Sequence, residues 1–246
     1  MLRILYRKYW QLGFKTRLYD ALSPKAYLDS LQRAAELLKV DENGSLLDAG
    51  CGSGLLIQFI KDKLEAGTRY LGTDYLVTGL YSLGRKAGSL SGKVKLFGFQ
   101  ADLTGGFPIK PGSVDSAVAH CSIYTMGDAD RRKNALKNLY TVLKPGGNLI
   151  VVNPCRDYDP TRIISASLKS LNGKAGASEI FIRKWLVYPL TLHLGLNYIA
   201  SQLKKDAWHA YTEEELRSEI QGCGFEVNRT EMVYAGSAYL MLCEKV

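Results

Sequence analysis

Histidine is scarce in this sequence, and cysteine follows no pattern. The 246 residues hold 3 His and 5 Cys. The cysteines, Cys51, Cys121, Cys155, Cys223 and Cys243, are scattered and odd in number, and no two form a CxxC. This excludes the ligand spacings of structural zinc and iron–sulfur sites and gives no disulfide framework. No metal site is expected, and the thiols read as small apolar residues of a reduced, cytoplasmic chain. There is no glycine period, no internal repeat and no low-complexity tract. With 46% apolar and 23% charged residues, disordered and fibrous classes are excluded. A chain of this length buries about three quarters of its extended surface, enough for a full core without staples.

Long apolar runs are also missing. The N-terminal stretch MLRILYRKYWQLGFKTRLYD is interrupted by Arg or Lys every few residues. It lacks the apolar centre and small-residue cleavage site of a secretory signal. Residues 185–203 carry no formal charge and lie between Arg183-Lys184 and Lys204-Lys205, a length that can span a bilayer. Pro189, His193, Asn197 and Gln202 are costly in lipid, so the stretch reads as an amphipathic element lying on the protein or on a membrane surface.

The charge is lopsided. The formal net charge is +8. Residues 1–40 hold 8 basic and 3 acidic side chains, and residues 156–210 hold 8 and 4. The last 36 residues hold 3 and 7. The positive excess therefore sits mostly outside the middle of the chain and bears on whatever those outer segments meet.

From Ser45 onward short apolar runs alternate with helical patterns. Strands are expected at 45–49, 69–75, 93–102, 114–123 and 149–153. Helices are expected at 54–64, 76–89 and 128–143, the last ended by Lys144-Pro145-Gly146-Gly147. Residues 154–210 break the rhythm with two or three helices, although Leu190, Leu192, Leu194 and Leu196 alternate as a strand would. Thr212 and Glu215 have capping-box spacing ahead of another helix. Two strands, 225–234 and 238–244, follow. Strands alternating with helices imply right-handed βαβ units and a parallel sheet between helical layers.

The sharpest local feature is the run Leu46-Leu47-Asp48-Ala49-Gly50-Cys51-Gly52-Ser53-Gly54. Here a strand enters a glycine-rich turn and then a helix, so the backbone can take positive φ and a ligand can come close. Asp74 ends the second strand and Asp102 the third, and in a parallel sheet such strand ends share one crevice. An acid at the end of the second strand suits a ribose diol, and one at the end of the third suits an exocyclic adenine amine. The spacing is GxGxG, not GxGxxG, which argues against a nicotinamide enzyme.

This constellation resembles the class I S-adenosylmethionine-dependent methyltransferases, over about residues 45–155 by motif and 211–246 by pattern. LLDAGCGSG is similar to the family's first motif, VDSAVAH to its fourth-strand motif, and Leu143-Lys144-Pro145-Gly146-Gly147 to the turn before its fifth strand. The resemblance implies a doubly wound, Rossmann-like α/β fold with a mostly parallel seven-stranded sheet whose last strand is antiparallel. It also implies one domain over 1–246, divided into an N-terminal helical cap (1–40), a cofactor-binding core (41–153), a helical substrate-cap insert (154–210) and a last helix with two strands (211–246).

S-adenosylmethionine is the implied cofactor, held by Asp48, Gly50, Cys51, Gly52, Gly54, Asp74, Tyr75, Asp102, Leu103 and His120. The candidate catalytic residues are His120, Tyr124 and His209, with cofactor contact or packing the plainer role for His120. Tyr19, Tyr27, Tyr124, Trp185 and Tyr211 are expected to meet the acceptor. Because the cap is aromatic, apolar and basic (Tyr6, Tyr9, Trp10, Phe14 and Tyr158 among its rings), the expected acceptor is a small apolar or aromatic molecule, with negative charge admitted. Peripheral membrane contact stays open. No DNA is expected, since Asn153-Pro154 follows the fifth strand and not the fourth. RNA is set aside because no RNA-binding module is appended. An RNA or protein methyltransferase, and a non-catalytic S-adenosylmethionine-binding protein, are the alternatives.

Overall fold

The computed structural model describes Trp10, residues 18–88, Leu90, residues 94–171 and residues 176–246. The cap residues Tyr6, Tyr9 and Phe14, and the first residue of the expected third strand, Lys93, lie outside these. The described chain begins with helices α1 (Leu18–Leu22) and α2 (Lys25–Leu37). Then follow β1 (Ser45–Ala49), α3 (Ile57–Ile60), β2 (Arg69–Asp74), α4 (Val77–Ala87), β3 (Lys95–Gln100), β4 (Val114–His120), α5 (Ala129–Val142) and β5 (Leu143–Pro154). The insert comprises α6 (Pro160–Leu171) and α7, a continuous helical run over residues 177–204. Helix α8 (Glu213–Gln221) and strands β6 (Phe225–Val233) and β7 (Ala238–Lys245) complete the chain.

The seven strands form one sheet in the order β3-β2-β1-β4-β5-β7-β6. β7 runs antiparallel to both neighbours, and the pairs β1–β2, β2–β3, β1–β4 and β4–β5 are parallel. The last strand is therefore the one inserted in the opposite sense, as expected. Alternation along the strands divides the core in two. Leu47, Ala49, Ala117, Ala119, Leu149 and Val151 face α5 and α8 through Leu136, Leu139, Leu216 and Ile220. Leu46, Val118, Ile150 and Val152 face the other way, onto Leu31 and Ala34 of α2, Ile57 and Ile60 of α3, and Ile163 of α6. Strands buried on both faces read as unbroken apolar runs, which is how SLLDA and NLIVV read.

Three elements depart from the sequence reading. The helix expected over 54–64 is only Ile57–Ile60 with a 3₁₀ turn at Lys61–Lys63, because the glycine turn uses residues up to Leu56. The fifth strand takes in the Lys144-Pro145-Gly146-Gly147 run, with Gly146 at φ +73 and a register shift against β4 between Val114 and Ser116. The alternating leucines at 190–196 are helical. Within α7 the α-turns give way to π-turns at Arg183–Val187 and Leu192–Leu196. Pro189 has no N–H to give the preceding turn and its ring crowds the carbonyl four residues back. The wider π-turn just before it accommodates both, with Tyr188 N–H donating to the Arg183 carbonyl.

The capping box of α8 forms as the spacing predicts. Glu215 N–H donates to Thr212 Oγ1 at 3.2 Å, and Thr212 N–H donates to Glu215 Oε2 at 2.8 Å. Behind it Arg132, 5% exposed, donates to Glu219 at 3.1 Å and to the carbonyls of Met126 and Gly127 at 3.2 and 2.9 Å. This joins α5 to α8. Thr212→Ala removes one acceptor from the start of α8 and is expected to cost about 1 kcal/mol, read as a lowered denaturant midpoint at unchanged slope.

Candidate functional site

The sheet reverses its order between β1 and β4, and a cavity of about 680 Å³ opens at the carboxyl ends of the strands on either side of that point. Asp48 comes from β1, and Gly50, Cys51 and Gly52 from the turn after it. Asp74 and Tyr75 follow β2, Asp102 and Leu103 follow β3, and His120 and Cys121 end β4. The turn is clamped from two sides. Gly50 N–H and Cys51 N–H both donate to the Thr73 carbonyl, at 2.8 and 2.9 Å. Ser122, beyond β4, lies so close that a Cβ at Gly50 would sit 2.4 Å from its own Cβ. Gly50 also has φ +80, so glycine is required there twice over. Gly54 faces away from the cavity. A Cβ on it would meet Leu83 of α4 at 2.6 Å, and its part is to seat the turn on that helix.

The two inner acids are nearly closed off from solvent. Asp74 is 9% exposed and Asp48 3%. Asp74 accepts from Gly52 N–H at 2.8 Å and Leu76 N–H at 2.7 Å. Burial pushes its pKa up while these amides oppose the shift. Asp48 accepts from the Tyr70 hydroxyl at 2.5 Å. Burial drives it up to about 7, the Tyr70 bond opposes this, and the charge of Asp74 adds to it. Two desolvated carboxyls beside a glycine-rich turn suit a ligand with hydroxyls in its middle and positive charge at one end. The α-amino, sulfonium and ribose groups of S-adenosylmethionine meet that description. Asp102 is more open. Its Oδ1 accepts from Thr104 N–H and Oγ1 at 3.0 and 2.8 Å, and its Oδ2 pairs with Arg131 at 3.2 Å.

His120 is held in a defined state. The Ser30 hydroxyl spends its one hydrogen on the Tyr27 carbonyl, at 2.8 Å. Its 3.0 Å contact with His120 Nε2 is therefore Nε2–H donating to Ser30 Oγ. Burial drives the ring's pKa down to about 3, so the imidazole is neutral. Its Nδ1 keeps a lone pair that meets no protein donor. Tyr27 packs edge-on against the ring at 5.1 Å between centroids.

A second, smaller chamber of about 230 Å³ adjoins the first, with Trp10, Tyr19, Tyr27 and Cys121 lining both. Tyr124, Tyr158 and Tyr234 add aromatic wall. Tyr27 meets Tyr234 edge-on at 5.6 Å, and the Tyr19 hydroxyl donates to that of Tyr27 at 3.0 Å. Helix α1 is tied to the glycine turn. Asp20 pairs with Lys86 at 2.6 Å and accepts from Ser53 Oγ at 2.5 Å, while Lys86 Nζ donates to the Ser53 carbonyl at 2.7 Å. The N-terminal cap thereby forms part of the wall of both chambers.

The first cavity thus gathers every expected cofactor residue except Gly54. Of the remaining expected site residues, Tyr19, Tyr27 and Tyr124 line one or both chambers. Three do not. Trp185 is 64% exposed on α7 and lines neither chamber. Tyr211 is fully buried under the Arg132 guanidinium, 5.6 Å from its ring centroid, and packs the core. His209 lines neither chamber. Its N–H donates to the Tyr124 carbonyl at 2.8 Å and its ring stands against Tyr211 at 4.4 Å. Residues not expected at the site from the sequence are Ser30, Arg131, Lys205 and Tyr234. Ser30 lies 90 positions from His120, and no local pattern links the two.

Comparison with known proteins agrees with this geometry. A family model described as a methyltransferase domain matches residues 47–149. The chain from a complex between the Haloferax volcanii Trm112 methyltransferase activator and a putative methyltransferase superposes with a TM-score of 0.65 over 96% of each chain, at 14% identity. This chain belongs to the class I S-adenosylmethionine-dependent methyltransferases. Its cofactor is accordingly S-adenosylmethionine.

Two curated relatives are the probable 18S rRNA (guanine-N(7))-methyltransferase of Dictyostelium discoideum and the 18S rRNA (guanine(1575)-N(7))-methyltransferase of Saccharomyces cerevisiae. The first is 30% identical over 75% of this chain, the second 32% over 48%. The matches span 66% and 43% of the relatives' own lengths. Both act on ribosomal RNA by name. That overturns the expectation of a small-molecule acceptor and the setting aside of RNA.

Two measurements check the site. Below about pH 4 Asp48 is protonated in folded and unfolded chains alike. Between there and about pH 7 only the unfolded chain ionises it freely, so this group's contribution to stability falls as pH rises through about 7. Asp48→Asn should therefore gain stability relative to the native chain on going from pH 5 to pH 8, read by thermal unfolding at each pH. For His120, the ¹⁵N spectrum should show a protonated Nε2 and a bare Nδ1. Ser30→Ala should erode that bias and Ser30→Thr restore it. A native spectrum with Nδ1 protonated refutes the assignment.

Proposed function

We propose that this methyltransferase transfers a methyl group to a base nitrogen of RNA, with guanine N7, the atom named for its curated relatives, as the target. What carries the reading is likeness to three rRNA guanine-N7 methyltransferases at 30%, 27% and 32% identity. The aromatic chamber beside the cofactor cavity supports it. Bound S-adenosylmethionine supplies a methyl group on a sulfonium, already electrophilic. The protein's part is to align a lone pair with it and to exclude water.

A guanine turned out of its stack needs flat faces and an edge to hold it. Tyr27, Tyr158 and Tyr234 offer rings, and stacking on rings of this kind is worth about 1–3 kcal/mol per base. N7 carries a lone pair and no proton, so attack requires no general base. The neutral His120 suits that chemistry. With a pKa driven down to about 3 by burial, the ring takes up no proton at neutral pH. At the rim of the first cavity Lys205 is exposed and Arg131 pairs with Asp102. Both are cations placed where a phosphate backbone would pass.

Methylation of protein-free rRNA with labelled cofactor, followed by mapping of the modified base, tests the reading. Label should appear at guanine N7. RNA affinity should fall steeply with salt. Lys205→Glu should weaken it several-fold and reduce the salt slope by about 1, with cofactor affinity intact. No label on any RNA, together with no salt-dependent binding, refutes the proposal.

A further inference from the structure

The first half of α7 takes no part in either chamber, and it stands out from the body. Over residues 177–190 the one fully buried side chain is Tyr188. Phe181, Ile182, Trp185, Leu186 and Leu190 are exposed, Phe181 at 65%, Trp185 at 64% and Leu186 at 61%. Their spacing is helical. Residues 181 and 185 follow at four, as do 182 and 186, and the π-turn at Arg183–Val187 adds a residue so that 190 continues the row from 185 at five. Leu194, four residues on from Leu190, and Leu18 of α1 are also exposed and line the second chamber. Scattered surface leucines need no explanation, but a contiguous row of large side chains marks a contact surface.

The charge around the row says what the contact is. Lys184 lies over the Trp185 ring, 5.3 Å from its centroid. The one acid on this stretch, Glu179, is taken by Arg183 at 2.9 Å. The segment 156–210 as a whole holds 8 basic and 4 acidic residues. A ridge of aliphatic chains with tryptophan and lysine at its side, on a positive part of the molecule, matches the boundary between headgroups and acyl chains of an anionic bilayer. RNA fits it poorly, because Ile182, Leu186 and Leu190 offer a phosphate nothing. No described helix is long and apolar enough to cross a membrane, so the contact would be along the surface and not through it.

We infer that the ridge of α7 is a membrane-docking element that beds its apolar row into the surface of an anionic bilayer. This assigns a role to residues that the methyl-transfer site does not use, and it stands or falls separately from the choice of RNA as acceptor.

Flotation of the full chain with vesicles tests it. The native chain should float with vesicles of phosphatidylcholine plus phosphatidylglycerol and much less with phosphatidylcholine alone. Tryptophan fluorescence should be quenched by lipids brominated on the upper acyl chain. Phe181→Glu with Leu186→Glu, both exposed positions, should abolish flotation at least tenfold while circular dichroism and S-adenosylmethionine affinity stay as in the native chain. Phe181→Ser with Leu186→Ser gives the same reading without added charge. Three results would overturn the inference. One is a native chain that stays with the pellet. Another is double variants that float as well, which moves the contact to another basic segment. The third is a native dimer by light scattering that the variants convert to monomer, which makes the ridge a contact between two copies.

Discussion

The carboxylate of Asp74 is the point on which the site depends. It ends β2, and it holds Gly52 N–H of the glycine turn and Leu76 N–H just ahead of α4 at 2.8 and 2.7 Å. One side chain therefore sets where the strand stops, where the turn lies and where the next helix begins. Its burial is costly for a charge, and the two amides offset that cost. The turn can approach so closely only because glycines stand where a Cβ would collide, at Gly50 with Ser122 and at Gly54 with Leu83. Parallel strands of matched register bring Asp48 beside the same point, and the repulsion between the two acids helps raise Asp48 to about 7. The result is a cavity whose inner end has negative character in reserve, suited to a cationic ligand.

The caps complete what the sheet begins. Asp20, Lys86 and Ser53 fasten α1 to the glycine turn, so the N-terminal segment supplies Tyr19 and Tyr27 to the chambers. Ser30 of α2 reaches across to His120 and sets which ring nitrogen carries the proton. On the far side the buried Arg132 ties α5 to α8 through Glu219 and seats Tyr211. These contacts join residues 33 to 90 positions apart. Each replaces solvent around a polar group with a fixed partner, which is why the cavity walls hold their shape beside a large opening.

Much of this was legible in the chain. The alternation of apolar runs and helical spacings located the strands, since strands buried on both faces leave a continuous signature. The glycine run and the acids at strand ends marked the crevice where the first cavity opens, because strand polarity alone forces those ends together. Legibility failed where a side chain's neighbour is distant in sequence. Trp185 and Tyr211 looked alike as aromatic residues expected to meet the acceptor, yet one is exposed on a ridge and the other is sealed under an arginine. His209 sits near the expected edge but spends its backbone on Tyr124. The alternating leucines of 190–196 obeyed a strand pattern, and the π-turns around Pro189 and Gly195 absorbed them into a helix. The nature of the acceptor was misread for a related reason. Aromatic and apolar composition cannot distinguish a small ring from a base presented by RNA.

The sheet, its parallel sense, the glycine turn and the three acids can be read from the residues alone. Those depend on local periodicity and on the short-range needs of a tight turn. Only the tertiary structure decided the protonation pattern of His120, the elevated pKa of Asp48, the second aromatic chamber and the outward ridge of α7. Each of those rests on burial and on partners brought together from distant segments. Desolvation and hydrogen-bond direction are properties of a place in the fold, not of a residue type.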